Sequence, residues 1–113
     1  MCQLDPGEAV PAWAATGSLT SVTRTGEELS VVCAEEAVPQ GVICETGWRC
    51  LRIGGPLAFS ETGVLSSVAA ALAKAGISFF VVSTYDTDHI LVKEELLGTA
   101  QAVLVSEGHT IQH

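Results

Sequence analysis

The chain has 113 residues, room for one compact domain or for two very small half-domains sharing a core. Hydrophobic residues make up 48% and charged ones 16%, a globular composition rather than a disordered one. The net charge of −8, from 13 acidic and 5 basic residues, argues against nucleic acid or an anionic membrane surface as partner, because both need clustered Lys or Arg.

In chain order, Pro6 to Ala15 reads as a short helix anchored by Trp13, with Pro11 tolerable only in its first turn. Ser18 to Arg24 is rich in β-branched residues, Thr25-Gly26-Glu27-Glu28 is a turn, and Leu29 to Cys33 is a short apolar strand; together they form a hairpin. Ala34 to Gly47 holds Pro39, Gly41 and Gly47 and reads as a connecting loop with one extended piece. Trp48 to Ile53 alternates apolar and basic residues, the mark of a half-buried strand, and Gly54-Gly55-Pro56 ends it. Ser60 is a suitable N-cap for a helix from Glu61 to Ala75, whose Val64, Leu65, Val68, Leu72 and Ala75 share one face. Gly76 is the expected glycine after the helix. Ile77 to Thr84 and His89 to Lys93 are strands joined by a turn at Tyr85 to Asp88. Leu96, Leu97, Ala100, Val103 and Leu104 mark a second amphipathic helix closed by Gly108, and Thr110-Ile111 is a final short strand. Strand, helix, strand, strand, helix, strand predicts an α+β fold: one antiparallel sheet with both helices on one face, the ferredoxin-like arrangement.

Arg24, Arg49, Arg52, Lys74 and Lys93 are scattered and form no basic patch. The start, Met1 to Pro6, lacks the basic end and apolar centre of a signal peptide, and no apolar run approaches the roughly 20 residues a bilayer demands. A cytoplasmic protein is expected. Cys2, Cys33, Cys44 and Cys50 contain no C-x-x-C pair and read as buried thiols rather than disulfides or zinc ligands. No nucleophile–base pair, metal cluster or phosphate-cradling loop stands out, so neither an enzyme nor a cofactor is expected.

The words Glu28-Leu29-Ser30-Val31-Val32-Cys33, Gly47-Trp48-Arg49-Cys50-Leu51 and Ser83-Thr84-Tyr85-Asp86-Thr87-Asp88-His89-Ile90-Leu91-Val92, in that element order, carry a resemblance. The chain resembles small bacterial ACT-domain proteins related to the C-terminal regulatory part of aspartate kinase. It is similar also to the ACT repeats of the CASTOR arginine sensors of animals. The resemblance implies two tandem units: a reduced ACT-like half at 1–47 and an ACT domain at 48–113. It implies a regulatory protein that senses a small molecule, usually an amino acid, held where the two units meet. The positions carried over are Gly63 and Val64 at the helix start, Thr84 and Tyr85 at the strand end, and Asp88 in the turn. Ser30 and Val31 would contribute from the first unit by strand edge. Similar proteins carry an extra strand before the segment matching Cys2 to Pro6. The first unit is therefore expected to lack an edge strand, and its hairpin to need a neighbour, for instance from a second subunit of a homodimer.

Each of these residues also has an ordinary structural reading. Gly63 admits a ligand carboxylate to the free N–H groups of a helix start, or it serves close helix–sheet packing. Asp86 and Asp88 are common turn formers, although Asp88 is also placed to accept an ammonium or guanidinium group. Tyr85 either contacts a ligand or covers the sheet. The alternative to a sensor is a dimerisation or partner-docking domain without a small ligand.

Overall fold

Short runs of β-branched and aliphatic residues fill both halves of the chain, and each half closes its own four-stranded antiparallel sheet. The computed structural model describes residues 1–54 and 61–112. It divides into two units, Met1–Gly47 and Trp48–His113.

The first unit contains β1 (Cys2–Leu4), β2 (Ser21–Arg24), β3 (Leu29–Val32) and β4 (Ile43–Cys44), in the spatial order β2-β3-β1-β4. β1 departs from expectation. Its three residues are too short to show a period in sequence, yet it is an interior strand in which Gln3 lies between Ser30 of β3 and Ile43 of β4. The β2–β3 hairpin therefore has its neighbour within the same chain, and the sheet needs no strand from a second subunit. The helix expected over Pro6 to Ala15 shrinks to a single 310 turn at Ala12–Ala15, entered through Pro11 in extended conformation. A second 310 turn, Glu35–Ala37, stands between β3 and β4. Cys2, Ala14, Leu29 and Val31 form the small core, with Leu4, Trp13, Cys33, Val38, Val42 and Cys44 packed around it.

The second unit comprises β5 (Trp48–Gly54), α1 (Glu61–Lys74), β6 (Phe79–Ser83), β7 (Asp88–Lys93), α2 (Leu97–Ser106) and β8 (Thr110–Gln112). Its strands lie in the order β6-β7-β5-β8. In both units the first strand of the four sits inside, between the third and the fourth, and the second takes the far edge. This is the ferredoxin-like winding, complete in the second unit and reduced to 310 turns between strands in the first. Even the hairpin turns correspond: Thr25 N–H donates to Glu28 C=O at 2.9 Å, and Thr84 N–H donates to Thr87 C=O at 2.8 Å.

Register explains the layering of the larger unit. Leu51 pairs with Ile90 and Arg49 with Val92, so Leu51, Ile53, Ile90 and Val92 project from one face of the sheet. Val68 and Leu72 of α1, Ala100 and Leu104 of α2, and Ile77 close over that face, each at most 4% exposed. Ala75, expected on the buried face, is exposed instead because the helix has already ended at Lys74. The chain leaves both helices through glycine. Gly76 has φ +73°, Ile77 N–H donates to Leu72 C=O at 2.9 Å, and Gly76 N–H donates to Ala73 C=O at 3.0 Å. Gly108, with φ +88°, repeats the same pair of bonds through His109 to Leu104 and Gly108 to Val105. The N-cap expected at Ser60 lies outside the described residues.

Candidate ligand-binding site

Strand direction decides which ends come together. β5 runs from Trp48, opposite Lys93, to Arg52, opposite His89, and Ser83 of β6 pairs with Asp88 of β7. The C-terminal end of β5 therefore lies beside the β6–β7 hairpin. α1 begins after that end of β5 and must return toward Phe79, which pairs with Val92 at the other end of the sheet. The N-terminus of α1 and the hairpin thus share one end of the second unit.

Gly63 is the third residue of α1, so its N–H belongs to the first turn that an α-helix leaves without intrahelical acceptors. It is exposed, and a Cβ built on it would meet nothing within 4 Å. It does not have the positive φ that only glycine tolerates readily. Close packing against the sheet, one of its two sequence readings, is thereby removed among the described residues. Val64 turns the other way, half-buried against the core, which leaves only its backbone facing the helix start.

The hairpin is built on hydroxyls. Thr84 Oγ1 accepts from Thr87 N–H at 3.1 Å and lies 2.7 Å from Thr87 Oγ1, so its hydroxyl is engaged in closing the turn. Ser83 Oγ donates to Asp88 Oδ1 at 2.6 Å, which orients the carboxylate and leaves it acceptor capacity for a cation. Tyr85 is 99% exposed and covers no part of the sheet. Two-residue hairpin loops usually need positive φ, but Tyr85 and Asp86 have none. The Thr84–Thr87 side-chain bonds hold the turn instead.

Thr87 Oγ1 also lies 3.2 Å from His89 Nε2, and His89 Nδ1 lies 3.6 Å from Cys50 Sγ. The chain Thr84–Thr87–His89–Cys50 runs from the turn onto the sheet face away from the helices. Only the register, which sets Cys50 opposite Leu91 and His89 opposite Arg52, makes Cys50 and His89 diagonal neighbours. Burial pushes the Cys50 thiol up from its ordinary value, the reverse of what an activated thiolate requires. Ser67 Oγ and His109 Nε2 meet at 3.0 Å on the surface. Among the described residues no three His, Cys, Asp or Glu side chains are grouped to hold a metal ion.

Ser30 and Val31 lie in the first unit, on β3. Their expected contribution through a strand edge does not hold, because β3 is flanked by β2 on one side and β1 on the other. Val31 is fully buried in the small core and Ser30 is half-buried between Thr23 and Gln3.

Comparison with known proteins gives consistent matches. A family model described as an ACT domain matches residues 43–106, and a model of an N-terminal domain matches residues 1–41. The crystal structure of protein Atu0741 from Agobacterium tumefaciens is similar at a TM-score of 0.88 and 45% identity, covering 95% of this chain and 80% of that one. The human protein named cytosolic arginine sensor for mTORC1 subunit 1 is 47% identical over 58 residues, which is 50% of this chain but 18% of the sensor. The human putative protein CASTOR3P is 33% identical over 100 residues, 77% of this chain and 61% of that protein. The chain thus spans under a fifth of the curated sensors' length. Among the described residues no helix is long and apolar enough to cross a membrane.

Proposed function

This chain belongs to the ACT-domain family, and on that footing we propose that it is a cytoplasmic, non-catalytic module that regulates by binding a free amino acid. The observation that carries the reading is Gly63, a glycine in the first turn of α1 that neither φ nor packing among the described residues requires, at the end of the unit that also bears Asp88. An α-carboxylate would accept from the free N–H groups of the helix start, as anions do at such termini. The Asp88 carboxylate, steadied by Ser83, would take an ammonium or guanidinium group. Thr84 would act through the turn it closes, and Tyr85, fully in solvent, would fold over a bound molecule. The similarity to proteins named arginine sensors makes arginine the first ligand to try. Signalling requires that the ligand favour one arrangement of the protein over another.

Calorimetry against the twenty amino acids, with melting temperature followed in parallel, tests the proposal. Heat and a raised midpoint with one of them, both lost in Asp88→Asn, are expected. Silence from the whole panel refutes it. A second reading, a partner-docking or dimerisation domain, draws on the Trp48–Phe80 pair, rings 4.6 Å apart on the sheet face away from the helices. Light scattering with and without amino acids separates the two, since assembly indifferent to every ligand favours docking.

A further inference from the structure

We infer that Cys2 and Cys44 form a reversible disulfide that fastens the edge strand β4 to β1. The register carries the argument. Met1 N donates to Glu45 C=O at 2.9 Å and Glu45 N–H donates to Met1 C=O at 2.8 Å, so these two residues exchange both bonds across the ladder. The next pair inward, Cys2 opposite Cys44, is then a non-hydrogen-bonded pair. Such pairs bring Cα atoms to about 4.5 Å with their side chains on the same face, inside the span of about 4.4–6.8 Å that cystine occupies. The Cys2 thiol already donates to Cys44 Sγ at 2.9 Å. The other thiols are engaged elsewhere: Cys33 donates to Ala34 C=O at 3.5 Å, and Cys50 meets His89 in the second unit.

Access differs between the two sulfurs. Cys2 is 2% exposed, whereas Cys44 is half-buried and open to a reagent. Burial and the adjoining Cys44 push the Cys2 thiol up to about 12, against the pull of the N-terminal ammonium, so Cys2 is the slower nucleophile. With a low-molecular-weight disulfide R–S–S–R as oxidant, the Cys44 thiolate attacks one sulfur and expels RS⁻, leaving a mixed disulfide. Cys2 gives up its proton and its sulfur displaces the second RS⁻ from Cys44. The two thiolates released take up the two protons, so two electrons and two protons pass from protein to reagent. The link joins residues 42 apart in sequence and closes most of the first unit into a loop.

The test treats the reduced full chain with oxidised glutathione, alkylates the remaining thiols and maps the peptides. A Cys2–Cys44 cystine as the main product, reopened by excess reduced glutathione, is expected. The melting midpoint should rise on the order of 10 °C with the bond formed. Cys33→Ser and Cys50→Ser should close as the parent does, and Cys44→Ser should form no intrachain link. Glutathione left standing on Cys44, a Cys33–Cys44 bond, or links between chains as the main product would overturn the inference. Mapping of the unsubstituted chain decides the matter even if Cys44→Ser does not fold. Failure here leaves the amino-acid titration untouched, since that site lies in the other unit.

Discussion

Two glycines, one inside α1 and one just past its end, make opposite demands. Gly76 ends α1 at φ +73°, where a Cβ clashes with its own backbone, so Gly76→Ala should cost about 1–2 kcal/mol in urea unfolding. Gly63 is helical, and among the described residues nothing occupies the place of a side chain, so Gly63→Ala should stabilise the protein by up to about 1 kcal/mol. The same substitution should weaken amino-acid binding at least tenfold if a carboxylate approaches that backbone, which calorimetry measures directly. Better folding with unchanged binding would remove Gly63 from the site. Both glycines were visible in the sequence. What separated them was the conformation of one and the lack of a described neighbour against the other, neither of which a letter code carries. The Thr84 hydroxyl shows the same limit: as a hydroxyl it looked available to a ligand, and only the geometry of the turn commits it to Thr87.

At the level of elements, length governed what could be read in advance. α1, β5, β6, β7 and α2 run 14, 7, 5, 6 and 10 residues, long enough for their periods to show, and they were anticipated within a residue or two. β1 and β4, at three and two residues, have no period at all. β1 exists because β3 offers it a ladder and the small core takes up the Cys2 side chain, and β4 forms on the free edge of β1. Propensity misjudged Ala12–Ala15 for a related reason: one turn is too short to sustain a helix by itself, and Pro11 delays its start. The core of the larger unit is open to a direct check. Leu72 is fully buried in the core cluster that holds Val68, Leu51 and Ile90, and Leu72→Ala should cost about 2–5 kcal/mol in chemical denaturation. Ile43→Thr, at 71% exposure, should cost little.

Taken as a whole, the molecule repeats one winding at two scales of investment. The unit at 48–113 has two helices and a broad core, while the unit at 1–47 relies on 310 turns and four fully buried side chains. A severed 1–47 fragment is therefore expected to be unfolded by circular dichroism, since chains of that size seldom bury enough surface to stand alone. The smaller core also contains a group whose ionisation ties stability to alkaline pH. Cys2, facing Cys44, Cys33 and the N-terminal ammonium, has a thiol raised from 9.0 to about 12, chiefly by burial. A thiol raised on folding contributes stability that is intact below pH 9 and is lost as pH climbs toward 12. Melting of the reduced protein should thus fall across that window, and less steeply in Cys2→Ala than in the parent.

β4 consists of Ile43 and Cys44, and after three intervening residues the larger sheet begins at Trp48. So slight a strand, at the edge of its sheet, is where thermal opening should start. Its amide hydrogens are expected to exchange with solvent deuterium far sooner than those of Leu51 or Ile90. The first unit would then have a seam between β1 and β4 that parts first, and a single sulfur–sulfur stitch would be enough to keep it closed.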